Sequence, residues 1–134
     1  MPEFLPGAIA SADHSTQQFY VVKMSTSTLI DFEIVINTGA ITSTVVPLGL
    51  LQDDPNTSGH GASVIVFGVG RAQYGGTVRQ GDRLGSDSDG RLVARAESST
   101  FGSWVLGTAL QNGTSGGNYD VLVTGPHLAR STSA

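Results

Sequence analysis

Apolar and polar positions along this chain repeat with a period of two in several short runs. No stretch of ten or more residues carries the 3.6-residue period of a helix. The clearest run is Leu29 to Asn37. Ile30, Phe32, Ile34 and Ile36 fall on one face of an extended backbone, and Asp31, Glu33 and Asn37 on the other. That pattern predicts a half-buried strand. Phe19 to Met24, rich in aromatic and β-branched residues, predicts another. Thr44 to Leu51 is apolar, and Pro47 inside it predicts an edge strand or a bend, because proline cannot donate to a ladder.

Ser63 to Phe67 predicts a buried strand that can run on through Gly68 and Gly70 to Tyr74. Leu84 and Leu92 flank an acidic loop ending in Asp89-Gly90, which predicts a hairpin. Trp104 to Leu110 and Tyr119 to Val123 predict the last two strands, the second stopped by Gly125-Pro126. A short helical turn could form near Thr77 to Arg79. Several short strands between turn signals predict a single all-β domain, a sandwich or a barrel.

The ends read differently. Residues 1–18 contain Pro2, Pro6 and Gly7, a polar aperiodic stretch, and Phe4, Leu5 and Ile9 as isolated apolar anchors. They predict an extended arm that orders on a partner. The β domain is expected over 19–126 and a flexible tail over 127–134.

Composition narrows the function. Charged residues are only 13% of the 134, and glycine counts 18, which favours strands and turns over helices. The net charge is -4 and Lys23 is the single lysine. Nucleic-acid binding draws on many phosphate-neutralising cations, so it is not expected. Arg71, Arg79, Arg83, Arg91 and Arg95 crowd the central stretch among Asp82, Asp87, Asp89 and Glu97. Such mixed charges suit a solvated or subunit-contact surface. The planar fork of arginine favours carboxylates across a boundary, with Arg71, Arg79 and Arg83 as candidates and Trp104 as an aromatic anchor. There are no cysteines, no apolar run long enough to span a bilayer, and no signal peptide at the first residues. Synthesis and folding in the cytoplasm are expected, with no membrane partner.

Candidate chemistry is sparse. Gly113-Thr114-Ser115-Gly116-Gly117 resembles the segment around a serine-protease nucleophile, and His60, Asp82 and Ser115 follow that family's order. Thr114 replaces the expected acid, and a triad is a geometric object that order alone does not make. Asp87-Ser88-Asp89-Gly90 resembles the middle of a calcium loop, but the terminal carboxylates are missing. His14, His60 and His127 share no ligand spacing. No catalytic, metal or cofactor residue is expected.

One ordered set of motifs is more specific. Gly68-Val69-Gly70-Arg71-Ala72 is followed by Gly76-Thr77-Val78-Arg79-Gln80-Gly81-Asp82-Arg83-Leu84. The acidic hairpin Asp87 to Val93 comes next, then Val105 to Leu110, and then Tyr119 to Val123. This order resembles the head decoration, or capsid cement, proteins of tailed bacteriophages over about residues 19–124. The resemblance implies a β-tulip-type body and a homotrimer. It implies a place on the outer capsid surface of the virion, against the major capsid protein, where it would stabilise the shell against internal DNA pressure. A β-module of a phage tail or fibre is the alternative, and a small serine hydrolase a more distant one.

Overall fold

The computed structural model describes residues 3–25, 30–36, 47–87, 89–94 and 103–129. Every regular element among them is a strand. The order is β1 (Glu3–Phe4), β2 (Ile9–Ala10), β3 (Val21–Met24), β4 (Glu33–Ile36), β5 (Gly49–Leu51), β6 (Val64–Gln73), β7 (Arg83–Ser86), β8 (Leu92–Ala94), β9 (Ser103–Ala109) and β10 (Asn118–Ala129). They form one ten-stranded sheet in the order β2-β4-β3-β5-β6-β10-β9-β7-β8, with β1 paired to β6 off that path. The all-β expectation holds, and the sheet is not closed into a barrel.

β6 belongs to both halves of the sheet. Its first residues pair with β5, Leu50 opposite Ile65 and Leu51 opposite Val64. Its remainder pairs with β10, from Val123 opposite Gly68 to Asn118 opposite Gln73. Between them Gly68 takes φ 110, a conformation glycine adopts without steric cost, and the strand turns there. The turn brings Gly70 beside the Ile65 side chain. Backbone bonds close the fold across the corner, with Gln73 N–H donating to Phe19 O at 3.1 Å and Val21 N–H to Gly90 O at 2.6 Å.

Folding the sheet on itself makes the main core. Val21, Leu50 and Ile65 of the first half meet Ala72, Tyr74, Val78, Leu84, Leu92, Leu106, Ala109, Val121 and Val123 of the second. Alternation along each strand sends the neighbouring residues the other way. Val22, Ile34, Ile36, Leu51 and Val64 form a second cluster on the reverse face of the first half. Ala8 and Leu5 from the N-terminal segment pack on it. Each fully buried aliphatic side chain contributes roughly 1.5–3 kcal/mol, so the second cluster matters to stability.

Several sequence expectations are corrected. The alternation of Leu29 to Asn37 breaks at a turn over Asp31 and Phe32, where Phe32 has φ 62, and the strand starts only at Glu33. Ile30 and Phe32 are therefore half exposed, while Glu33 is buried beside Ile34 and Ile36. Pro47 precedes β5 and does not interrupt it, so β5 sits in the middle of the sheet. Val78 forms an isolated bridge to Gly113 where a helical turn was expected. Gly125-Pro126 shifts the register of β10 without ending it. Gly125 adopts φ 89, and pairing resumes with His127 opposite Val105 and ends with Ala129 opposite Ser103. Pairing thus reaches into the segment expected as a tail, and residues 130–134 lie outside the described residues.

Candidate functional site

The most distinctive surface lies on the outward face of β6, β10 and β9. Val69 stands opposite Leu122, and Arg71 opposite Asp120. On the inward face Gly70, Ala72, Val121 and Val123 are buried. Phe67 and Val69, on either side of Gly68, are 54% and 53% exposed, and Leu110, next to Asp120, is 43% exposed. Exposed apolar groups that neighbour one another, as Phe67 and Val69 do, mark interaction surfaces, while Leu110 lies apart at the Asp120 end. The far end of the same face is polar. Arg71 lies 3.9 Å from the Asp120 carboxylate and donates to the Asn118 carbonyl at 3.0 Å. Both side chains are about half exposed, so this pair orients the guanidinium more than it stabilises the fold.

β1 borders this surface. Glu3 is opposite Phe67 and Phe4 opposite Ile65, with an irregular register between them. Phe4 is 44% exposed, and Leu5 packs on the second core cluster. Ile9 pairs with Glu33, donates to Phe32 O at 3.0 Å and bridges to Gly61. Further along, Ala10 donates to His60 O and His14 to Pro55 O. Ala10 and His14 are buried, His14 contacting Gln17 Oε1 at 3.0 Å and Ser11 Oγ at 3.4 Å. The N-terminal segment is thus extended, and it is stitched along the body by single backbone bonds to several loops.

The other predicted residues are scattered. Arg79 is exposed at the rim of a shallow recess beside Thr77, Asn112, Thr114 and Tyr119, and its backbone N–H donates to Asp82 Oδ2. Arg83 is exposed at the start of β7. Arg91 is engaged within its own hairpin, 3.6 Å from Asp87 Oδ2 and 3.3 Å from Asp89 Oδ2. Arg95 and the Trp104 side chain lie outside the described residues. Tyr119 is partly buried against the main core and stacks on Tyr74 with ring centroids 4.5 Å apart. The hydroxyl of Tyr74 donates to Gln111 O at 2.9 Å.

The segments that resemble parts of a serine-protease site lie in loops and turns. His60 lies on an exposed loop bonded to Ala10, Ser115 on the exposed β9–β10 turn, and Asp82 beside Arg79. No hydrogen bond joins these three among the described residues. The Asp87 carboxylate accepts from Asp89 N and Arg91 N, both at 2.9 Å, as a turn-forming aspartate does. Phe67 and Val69 were not singled out from the sequence, because the run Ser63 to Phe67 reads as a buried strand that can continue through Gly68 and Gly70. The glycines alternating with them at 68 and 70 were the available signal, since a strand flanked by glycine inside and apolar residues outside has its bulk on the outer side.

The architecture defines a small all-β domain built from one folded sheet. Its fold is similar to that in the crystal structure of the N base of the head fibre protein gp8.5 of bacteriophage phi29. The TM-score is 0.65 at 18% identity, over 92% of this chain and 95% of that one. No protein-family model and no curated protein matches the chain in sequence.

Proposed function

We propose that this protein is a structural component of a phage virion, associated with the head. It would bind the outer capsid surface, against the major capsid protein, as a homotrimer. The observation that carries the reading is the likeness in fold to the phi29 head fibre base over 92% of this chain and 95% of that one. The order of motifs that resembles capsid decoration proteins supports the same place on the head. The exposed apolar strip of Phe67 and Val69, with Phe4 beside it, offers area for a subunit or shell contact.

In this role the protein works by contact alone. Each copy contributes a modest apolar surface, and three copies joined together multiply weak contacts into stable attachment by effective concentration, on the order of 10² to 10⁴ in avidity. Stabilisation of the shell follows because a bound trimer must be released before the capsid subunits beneath it can separate.

Two measurements test this. Heads purified from the phage that encodes the chain are mixed with the protein and sedimented, and the bound copies are counted and imaged by electron microscopy. Co-sedimentation at a fixed ratio to capsid subunits, with density on the outer shell, is expected. Failure to bind heads, or density confined to the tail, overturns the head reading in favour of a tail module.

A further inference from the structure

We propose that the edge of β6 at Ile65–Phe67, filled here by the chain's own β1, is an exchange slot that a second copy's residues 3–5 occupy in the assembled protein. The inference rests on the homotrimer reading above and names the element that joins its copies.

The slot is defined by pairing on both flanks of β6. At Ile65 the two partners are Leu50 of β5 and Phe4 of β1, so β1 and β5 lie on opposite flanks. At Arg71 the partner is Asp120 of β10, while the opposite flank is taken by the Gln52 side chain, which follows directly on β5. β1 and β10 therefore share one flank in tandem, and both run antiparallel to β6. β10 covers Gln73 to Gly68 and then leaves β6 at the Gly125-Pro126 register shift, keeping only β9 as partner. Pro126 has no N–H to offer a ladder. The backbone of Ile65 to Phe67 is left with an open flank, and β1 is the segment that fills it.

The occupant is lightly held. β1 is two residues long, irregular in register, and exposed at both residues. Leu5 adds one backbone bond, to Val64 O at 2.9 Å. A turn at Pro6-Gly7 separates this strand from the firmly packed Ala8 and Ala10. Reorienting that turn would carry residues 3–5 away, leave Ala8 on the second core cluster, and let the Leu5 of a second copy take the place of the one withdrawn. The same ladder bonds form whether the strand comes from the same chain or a neighbour, so exchange costs little in contacts and gains a link between copies. A neighbour's strand entering the slot also brings its own body towards Phe67 and Val69, the two most exposed apolar residues of β6.

The chain has no cysteine, so engineered thiols report the pairing cleanly. Directly opposed residues in an antiparallel pair sit about 4.5–5.5 Å apart at Cα, within disulfide range. Glu3→Cys and Phe67→Cys single variants, both at exposed positions, are unfolded together in equal amounts, refolded and oxidised. Products are resolved by non-reducing electrophoresis, and the linked peptides identified by mass spectrometry. Light scattering gives the mass before oxidation. Exchange predicts a trimer in which a 3–67 disulfide joins the two variants, and random mixing links about half of the chains. A Glu3→Cys/Phe67→Cys double variant should then link between chains too. A trimer whose double variant closes its disulfide only within each chain, and whose single variants do not join, overturns exchange and leaves the trimer standing. A monomer overturns both. A disulfide between chains that appears only when capsids are present would assign the slot to assembly on the shell and overturn exchange in the free protein.

Discussion

The side chain of Gln52 takes the place of a strand beside Arg71. Its Nε2 donates to the Arg71 carbonyl at 2.9 Å, and its Oε1 accepts the Arg71 N–H at 3.1 Å. Arg71 turns both of these groups away from β10, and β5 has ended at Leu51. One amide therefore supplies the pair of bonds that a neighbouring backbone would have made. It also ties the end of β5 to the far side of the corner at Gly68.

Gln52→Ala leaves the Arg71 N–H and C=O without their partner. Water reaches this exposed site, so the cost should lie near the low end of the range for an unsatisfied pair, about 1–2 kcal/mol in urea unfolding. Gln52→Glu keeps the acceptor and loses the donor, and should fall between that variant and the parent chain. Equal stability of all three would show that the bridge contributes nothing.

Glycines 113 and 117 lie against the Tyr119 ring, and a Cβ at either position would overlap it. The ring is also fixed by its stack on Tyr74. Gly113→Ala or Gly117→Ala should lower stability by about 1–3 kcal/mol, the usual cost of forcing atoms into filled space. Gly76→Ala, with nothing within 4 Å of the added carbon, should lie within about 0.5 kcal/mol of the parent. Near-ultraviolet circular dichroism should change only for the first two.

Burial raises the Tyr74 phenol above its ordinary value of 10.0, with Tyr119, Asp82 and Asp120 adding to the effect. The folded state therefore holds this proton more tightly than the unfolded chain. The associated stability is complete below about pH 10, where tyrosine keeps its proton in either state. It is lost as pH rises through the folded value. Stability should fall on raising the pH from about 9 to 11, with a shallower fall for Tyr74→Phe. At neutral pH that variant should cost about 0.5–1.5 kcal/mol for the lost bond to Gln111 O. An unchanged alkaline slope would contradict the assignment.

Phe32 is half exposed and holds φ 62, a conformation that disfavours bulky residues. Phe32→Asn or Phe32→Gly should raise stability by roughly 0.5–1 kcal/mol, through relief of local strain. Thermal melts will show this directly. A fall in stability would mean that the ring packs on something of value in the free chain.

Strands with bulk on alternate positions were readable. β3, β6, the β7–β8 hairpin and β9 all begin within about two residues of where the hydrophobic pattern places them. The misreadings share a physical origin. A strand and an adjoining turn can carry the same alternation, so Ile30 and Phe32 looked like core while lying outside it. Glycine followed by proline signals a stop, yet β10 absorbs both residues as a register shift because β9 continues to pair with it. The first eighteen residues carry no period because their bonds go singly to Val64, Phe32, His60, Ile34 and Pro55, and no regular spacing records such partners. For the surface, Phe4 and Arg71 were picked from residue type. Phe67 and Val69 required knowing which side of β6 faces the fold.

The sharing of β6 between both halves has a mechanical consequence. A tug on either half reaches the other along a single covalent strand, flanked by β5 and β1 at one end and by β10 at the other. Separating the halves would require peeling that strand from its neighbours, since no loop joins them loosely at this point. The body should resist pulling as one unit and yield in one step.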